Sequence, residues 1–199
     1  MRRRTRALAV TAAVAAAVGL GAAPALAAPG ITPVGNVTLT APSFIVKNLT
    51  TGAVASCGTS VMTGNVPGFQ PPNLKINTSS YGLCNGPAGI NVQLTAGGLP
   101  WNYTVASFNG AVATGSLTGI KLYTHGSDGC DTTIAGPGGA GGTVVGALTN
   151  ASGVLALSGG NLRIASAGFD CDPELYQTGD VMEVIASYGS SPKLKYSNI

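Results

Sequence analysis

Outside its first six residues, this chain of 199 residues concentrates charge in two short acidic segments, Asp128-Gly129-Cys130-Asp131 and Asp170-Cys171-Asp172-Pro173-Glu174. Each holds one cysteine, so a Cys130–Cys171 bond would draw Asp128, Asp131, Asp170 and Asp172 together. Ca²⁺ takes about six to eight oxygens from carboxylates and backbone carbonyls. These four aspartates are therefore the candidate metal ligands, and calcium is the one cofactor the sequence offers. They lack the defined ligand spacing of a known calcium loop. The competing reading is a solvated loop whose acids keep a sheet edge soluble. A carboxylate pair drawn from Asp170, Asp172, Glu174, Asp180 and Glu183 could serve a glycosidase, but nothing marks one of them as the acid with a raised pKa that this chemistry needs.

The single histidine lies in Thr124-His125-Gly126-Ser127-Asp128. A hydrolytic triad needs three groups held by separate elements so that the imidazole bridges the other two, and four neighbouring turn residues do not provide that. A Gly-x-Ser-x-Gly elbow is also missing. The run Gly136-Pro137-Gly138-Gly139-Ala140-Gly141-Gly142 has no Lys-Ser/Thr ending, so it reads as a flexible connection rather than a phosphate loop. No catalytic residue is assigned, and the chain reads as a non-enzyme.

The elements that must position these residues are β-strands. Apolar residues recur at period two, as in Asn36–Thr40, Ile90–Thr95 and Trp101–Val105, separated by Gly, Pro, Asn and Ser. Asn109-Gly110 is a strong two-residue hairpin signal. The pattern predicts an all-β protein, an antiparallel sandwich or barrel of about ten to twelve short strands. Trp101, Tyr103 and Phe108 could form a sugar-stacking platform, although Trp101 and Tyr103 alternate as core residues would.

At the N-terminus, Arg2, Arg3, Arg4 and Arg6 precede an apolar run, Ala7 to Leu20, and the small-residue sequence Pro24-Ala25-Leu26-Ala27. This is the pattern of a secretory signal peptide over residues 1–27, leaving 28–199 as a single β-sandwich domain with no membrane span after cleavage. Four of the ten Lys and Arg leave with the signal while all seven acids stay, so the basic character belongs to the precursor. No basic patch remains to hold nucleic acid. Four cysteines, Cys57, Cys84, Cys130 and Cys171, enter an oxidising compartment and are expected to form two disulfides. Three pairings are open, of which the sequential one closes the shortest loops. Five Asn-x-Ser/Thr sequons begin at Asn36 and Asn48.

Gly98-Leu99-Pro100-Trp101, with Gly179-Asp180, the strand through Tyr188 and Ser191-Pro192-Lys193-Leu194, resembles a group of small secreted proteins of actinobacteria with no assigned activity. The Leu-Pro-Trp segment is more distantly similar to the exported family called protein activator of alkane oxidation. Both resemblances imply a surface or matrix role and no catalytic residues. The resulting expectation is a secreted, disulfide-stapled protein that acts by binding an extracellular or cell-wall partner or by assembly. Its sparsely charged strands are suited to self-association by strand pairing or to adsorption on apolar surfaces. The alternatives are a secreted hydrolase using the acidic cluster and a carbohydrate-binding module.

Overall fold

The computed structural model describes residues 29–198, so the expected signal peptide lies outside the described residues. Six of its long strands are interrupted once, near mid-length. β2 (Gly35–Ala41) continues as β3 (Phe44–Asn48), β4 (Val54–Cys57) as β5 (Ser60–Val66), and β6 (Asn73–Tyr81) as β7 (Cys84–Asn85). β8 (Asn91–Gly97) continues as β9 (Trp101–Phe108), β11 (Asp131–Ala135) as β12 (Gly142–Thr149), and β13 (Val154–Ser158) as β14 (Arg163–Ala167). Only β10 (Val112–Gly126) and β15 (Met182–Ser191) run the full length unbroken, and the short strands β1 (Gly30–Thr32) and β16 (Lys195–Ser197) pair with each other.

Each of these composite strands pairs antiparallel with its neighbours in sequence. β2 and β3 pair β5 and β4, which pair β6 and β7, which pair β9 and β8; β10 then pairs β8 and β9 on one side and β11 and β12 on the other. β12 and β11 pair β13 and β14, and β15 returns to pair β13, β2 and β3. Beside β14, the ring is completed by an Arg163–Val181 bridge and by backbone bonds of Ile164 with Gly179 and Asp180. The fold is therefore an up-and-down closed barrel of eight staves. Over one half of its length the interior is filled, and there opposing walls pack on each other as the layers of a sandwich do. The all-β antiparallel architecture expected from the sequence is the one observed.

Every stave has a partner on both sides, so among the described residues the ring offers no long free edge for strand pairing with another chain. The glycine-rich run 136–142 is also not a loose tether: it makes a tight 3₁₀ turn over Pro137–Gly139, closed by Gly136 N–H donating to Ala140 O.

The mid-height breaks lie side by side, forming a waist. At Gly119 on β10, a bulge lets the strand keep facing inward on both sides of the waist: Ala113, Gly115 and Leu117 are buried before it, Ile120, Leu122 and Gly126 after it. Gly119 has φ +87°, the left-handed region where a side chain is strained. A Cβ on neighbouring Gly98 would stand 2.7 Å from Gly119 O, so the β8–β9 break can approach β10 only without one.

Outward positions are mainly Thr, Ser and Asn, while inward ones are apolar; a membrane-spanning barrel has the opposite polarity on its outer face. Above the waist the interior holds Trp101, Tyr103, Leu39, Leu117, Leu148, Leu155 and Tyr188, all buried. Each such aliphatic side chain contributes about 1.5–3 kcal/mol on burial. This end is plugged by β1 and β16, whose Ile31 and Tyr196 are buried with Leu194, and by Asn150, which donates to Tyr196 O and accepts from Tyr196 N–H.

Burial raises the phenol pKa of Tyr81, Tyr103, Tyr188 and Tyr196, that of Tyr188 to about 12. A hydrogen bond between Tyr188 Oη and Ser60 Oγ at 2.8 Å offsets part of that rise. Unfolded tyrosine ionises near pH ~10. Above that pH the unfolded chain loses protons that the folded chain keeps, so stability is full below pH ~10 and falls as the pH rises through the folded pKa. Melting temperature is expected to drop steeply between pH ~10 and ~12, each buried tyrosine adding about 1.4 kcal/mol per pH unit. Thermal melts followed with tyrosinate absorbance check this; a flat profile would contradict the burial of these phenols.

Candidate functional site

Below the waist the inward-facing residues become small: Val46, Ala55, Cys57, Cys84, Val92, Thr124, Gly126 and Thr132. Eight-stranded barrels have interiors just wide enough for side chains to fill or for one small ligand. Small residues here leave the space unfilled. An apolar slot results, walled by those residues with Leu94, Ile134 and Met182, and closed from outside by Ile90, Tyr176 and Asp128. The space between the lining atoms is about 510 Å³, including the part open to solvent, but only about 30 Å³ of it admits the centre of a water-sized sphere. The slot is thus narrow. Inside it, the Thr124 and Thr132 hydroxyls bond each other at 2.7 Å, which leaves the wall effectively apolar.

Four loops form the rim: residues 48–53, 85–91, 126–131 and 168–180. Both disulfides lie in this half, Cys57–Cys84 joining directly paired strands beside the waist and Cys130–Cys171 joining the third rim loop to the fourth. This is the sequential pairing, with separations of 27 and 41 residues. In the chain-entropy account the two bonds contribute roughly 3.5 and 4 kcal/mol.

A buried polar latch ties the first rim loop to the fourth. Asn48 is fully buried; its amide nitrogen donates to Asp180 Oδ2 at 2.7 Å and to Leu175 O at 2.9 Å. Its side-chain oxygen accepts from the N–H groups of Thr50 and Thr51. Asp180 Oδ2 also accepts from Gln177 N–H. With its amide committed in this way, the Asn48 sequon is a structural element. Tyr176, carried on the latched loop, is half-buried over the slot. Desolvation first, and then the charge of Asp128, raise its phenol pKa.

The candidate residues read from the sequence end up in several places. The four cysteines pair as the sequential reading has it. The four aspartates do not converge. Asp131 meets His125 Nδ1 at 2.7 Å on the outer face, Asp128 accepts from Cys130 N–H, Asp172 accepts from Glu174 N–H, and Asp170 packs against Gly129. Among the described residues, no three His, Cys, Asp or Glu side chains gather where they could share an ion. This corrects the expectation that the disulfide brings Asp128, Asp131, Asp170 and Asp172 within reach of one calcium. The physical reason is that Asp128 and Asp172 each accept from a local N–H and Asp131 turns to the imidazole.

The carboxylates of the glycosidase reading are likewise scattered, with Asp180 inside the latch and Glu183 on β15 opposite Lys47. Ser127 Oγ accepts from Asn91 N–H, so His125, Ser127 and Asp128 form no relay. Trp101 and Tyr103 are core residues, each hydrogen-bonded to backbone carbonyls, and make no surface platform. The motif segments of the resemblance are structural too: Gly98–Trp101 makes a waist break, Gly179-Asp180 the latch, and Ser191–Leu194 leads into the plug. The slot itself was missed by sequence reading, and so was Tyr176. The signal that could have found the slot was the fall in inward residue size within particular staves, as from Trp101 and Tyr103 on β9 to Val92 on β8.

Replacing Asn48 by Leu leaves the Asp180 carboxylate buried without its side-chain donor. We expect a loss of about 3 kcal/mol, read as a lower urea midpoint at unchanged slope. The Asn48→Leu/Asp180→Leu double variant should recover part of it, since both partners of the buried contact are then removed. Comparison with family models, curated proteins and solved structures finds no match, so the reading of this end of the barrel rests on its geometry.

Proposed function

We propose that this chain is an exported, non-enzymatic binding protein that takes a small apolar molecule into the stapled end of its barrel. The observation that supports this most directly is the asymmetry of the two ends. One is plugged by β1 and β16 and filled with aromatic and leucine side chains; the other keeps an apolar slot under a half-buried tyrosine. Apolar enclosures with a few polar groups at the mouth are the usual form of small-ligand sites, and the mouths of β-barrels are a favoured place for them. Two disulfides suit an oxidising extracellular setting, and among the described residues no helix is long and apolar enough to cross a membrane.

A second reading, end-to-end assembly of copies, is favoured by the placement of charge. Lys75, Lys193 and Lys195 lie toward the plugged end, which carries no acid, while all seven acids lie on the stapled half. A head-to-tail contact between unlike ends would be heterologous and could propagate. Sedimentation at low and high salt separates this reading from the first: assembly that dissolves with added salt supports it, and a monomer under both conditions removes it.

The binding reading is tested by titrating pentanol into isotopically labelled protein and following side-chain and amide signals. Perturbation should be confined to Tyr176, Met182 and their neighbours, and should vanish in an Ala55→Leu variant that fills the slot at a cost of about 1–3 kcal/mol. Perturbation absent at saturating pentanol, or scattered over the outer faces, would sink the reading.

A further inference from the structure

The rim of the slot is electrically one-sided. Asp128, Asp131, Asp170, Asp172 and Glu174 are all exposed on two of its loops. None of the four rim loops contains a Lys or Arg. His125, taken up by Asp131 on the outer face, and Arg163, exposed and donating to Gly179 O of the fourth loop, are the basic side chains close by. Lys47, on the strand entering the first rim loop, points away from the slot and stands opposite Glu183. Asp128 differs from the other acids because it also lines the slot, next to Tyr176. Its Oδ1 accepts a backbone N–H at 3.2 Å, which leaves the other carboxylate oxygen free of any bond described for it.

An apolar cavity whose entrance carries charge of one sign selects a ligand of matching polarity. Low-dielectric walls focus the field of the rim and raise the local concentration of counter-charged molecules. The slot wall offers little to a polar ligand body, because the hydroxyls of Thr124 and Thr132 bond each other and keep one O–H between them. From these observations we propose that the slot binds a small organic cation, an unbranched alkylammonium ion whose chain lies in the slot and whose ammonium group sits at the rim beside Asp128. The narrowness of the slot favours a single thin chain over a ring system or a branched body. The ammonium group donates to Asp128, and Tyr176, which lines the slot together with Asp128, covers the junction between chain and head. Anionic amphiphiles of the same length are repelled at the rim.

The inference rests on the binding reading above, and the experiment is arranged so that the two can fail separately. Pentylammonium, pentanol and pentanoate are each titrated into the disulfide-bonded protein at low and moderate salt, and affinity is read from chemical-shift changes. Exposed charge pairs of this kind support about a three- to fivefold preference. Pentylammonium should therefore bind about three- to fivefold tighter than pentanol at low salt, with pentanoate weakest, and the preference should shrink as salt rises. Asp128→Asn should bring pentylammonium to within about twofold of pentanol measured on the same variant. The salt series on the unmodified protein supplies the same answer without any substitution. Equal binding of amine and alcohol, or a preference that ignores salt, overturns the cation inference and leaves the binding reading standing. If none of the three binds, both fall.

Discussion

The pairing of β15 with β2 and β3 is the contact on which the rest of this molecule depends, because it turns a meander of hairpins into a ring. An open sheet of eight such staves would show two unpaired edges and one solvated apolar face. Closed, it has neither, and so few charges suffice for its surface: the outer face is solvated by hydroxyl and amide side chains. Closure also fixes the interior cross-section. Within a fixed cross-section, side-chain size decides whether a given level is solid or hollow, and here Tyr, Trp and Leu fill one half while Ala, Val, Cys, Thr and Gly leave room in the other.

The waist reconciles the two halves. A period-two strand that crosses it must keep its apolar face inward on both sides, and a one-residue irregularity changes which parity faces in. β10 manages this with the Gly119 bulge, whereas six of the other staves break and resume. Sequence reading took those breaks for ends of short strands. Alternation, turn signals and disulfide pairing were therefore legible, since each is a local property or a short loop. That two neighbouring segments form one stave was not, because only the shared partners of the segments reveal it. The site was hidden for a related reason: Val46, Thr124 and Tyr176 lie far apart in the chain and become neighbours only when the ring closes.

The acidic segments show how a conspicuous sequence feature can mislead about chemistry while marking the right place. Their charges satisfy local N–H groups and an imidazole, and do not gather around a common point. Yet the cysteines they flank do hold the third and fourth rim loops together, and the fourth loop carries Tyr176 across the opening. Charge density located the stapled end of the barrel, where the disulfide between the acidic segments ties two rim loops together.

The plug has a consequence for the order of events in folding. β1 begins at residue 30 and its partner β16 ends at residue 197, and β2 needs β15, so the earliest strands of the described chain are sealed only by the last. Contacts of such sequence separation make folding slow, because the loop must close before they reward it. A chain built in this way stays unsealed on a ribosome until β15 and β16 have emerged. Its topology therefore acts as a timer that postpones the native state until those two strands are free.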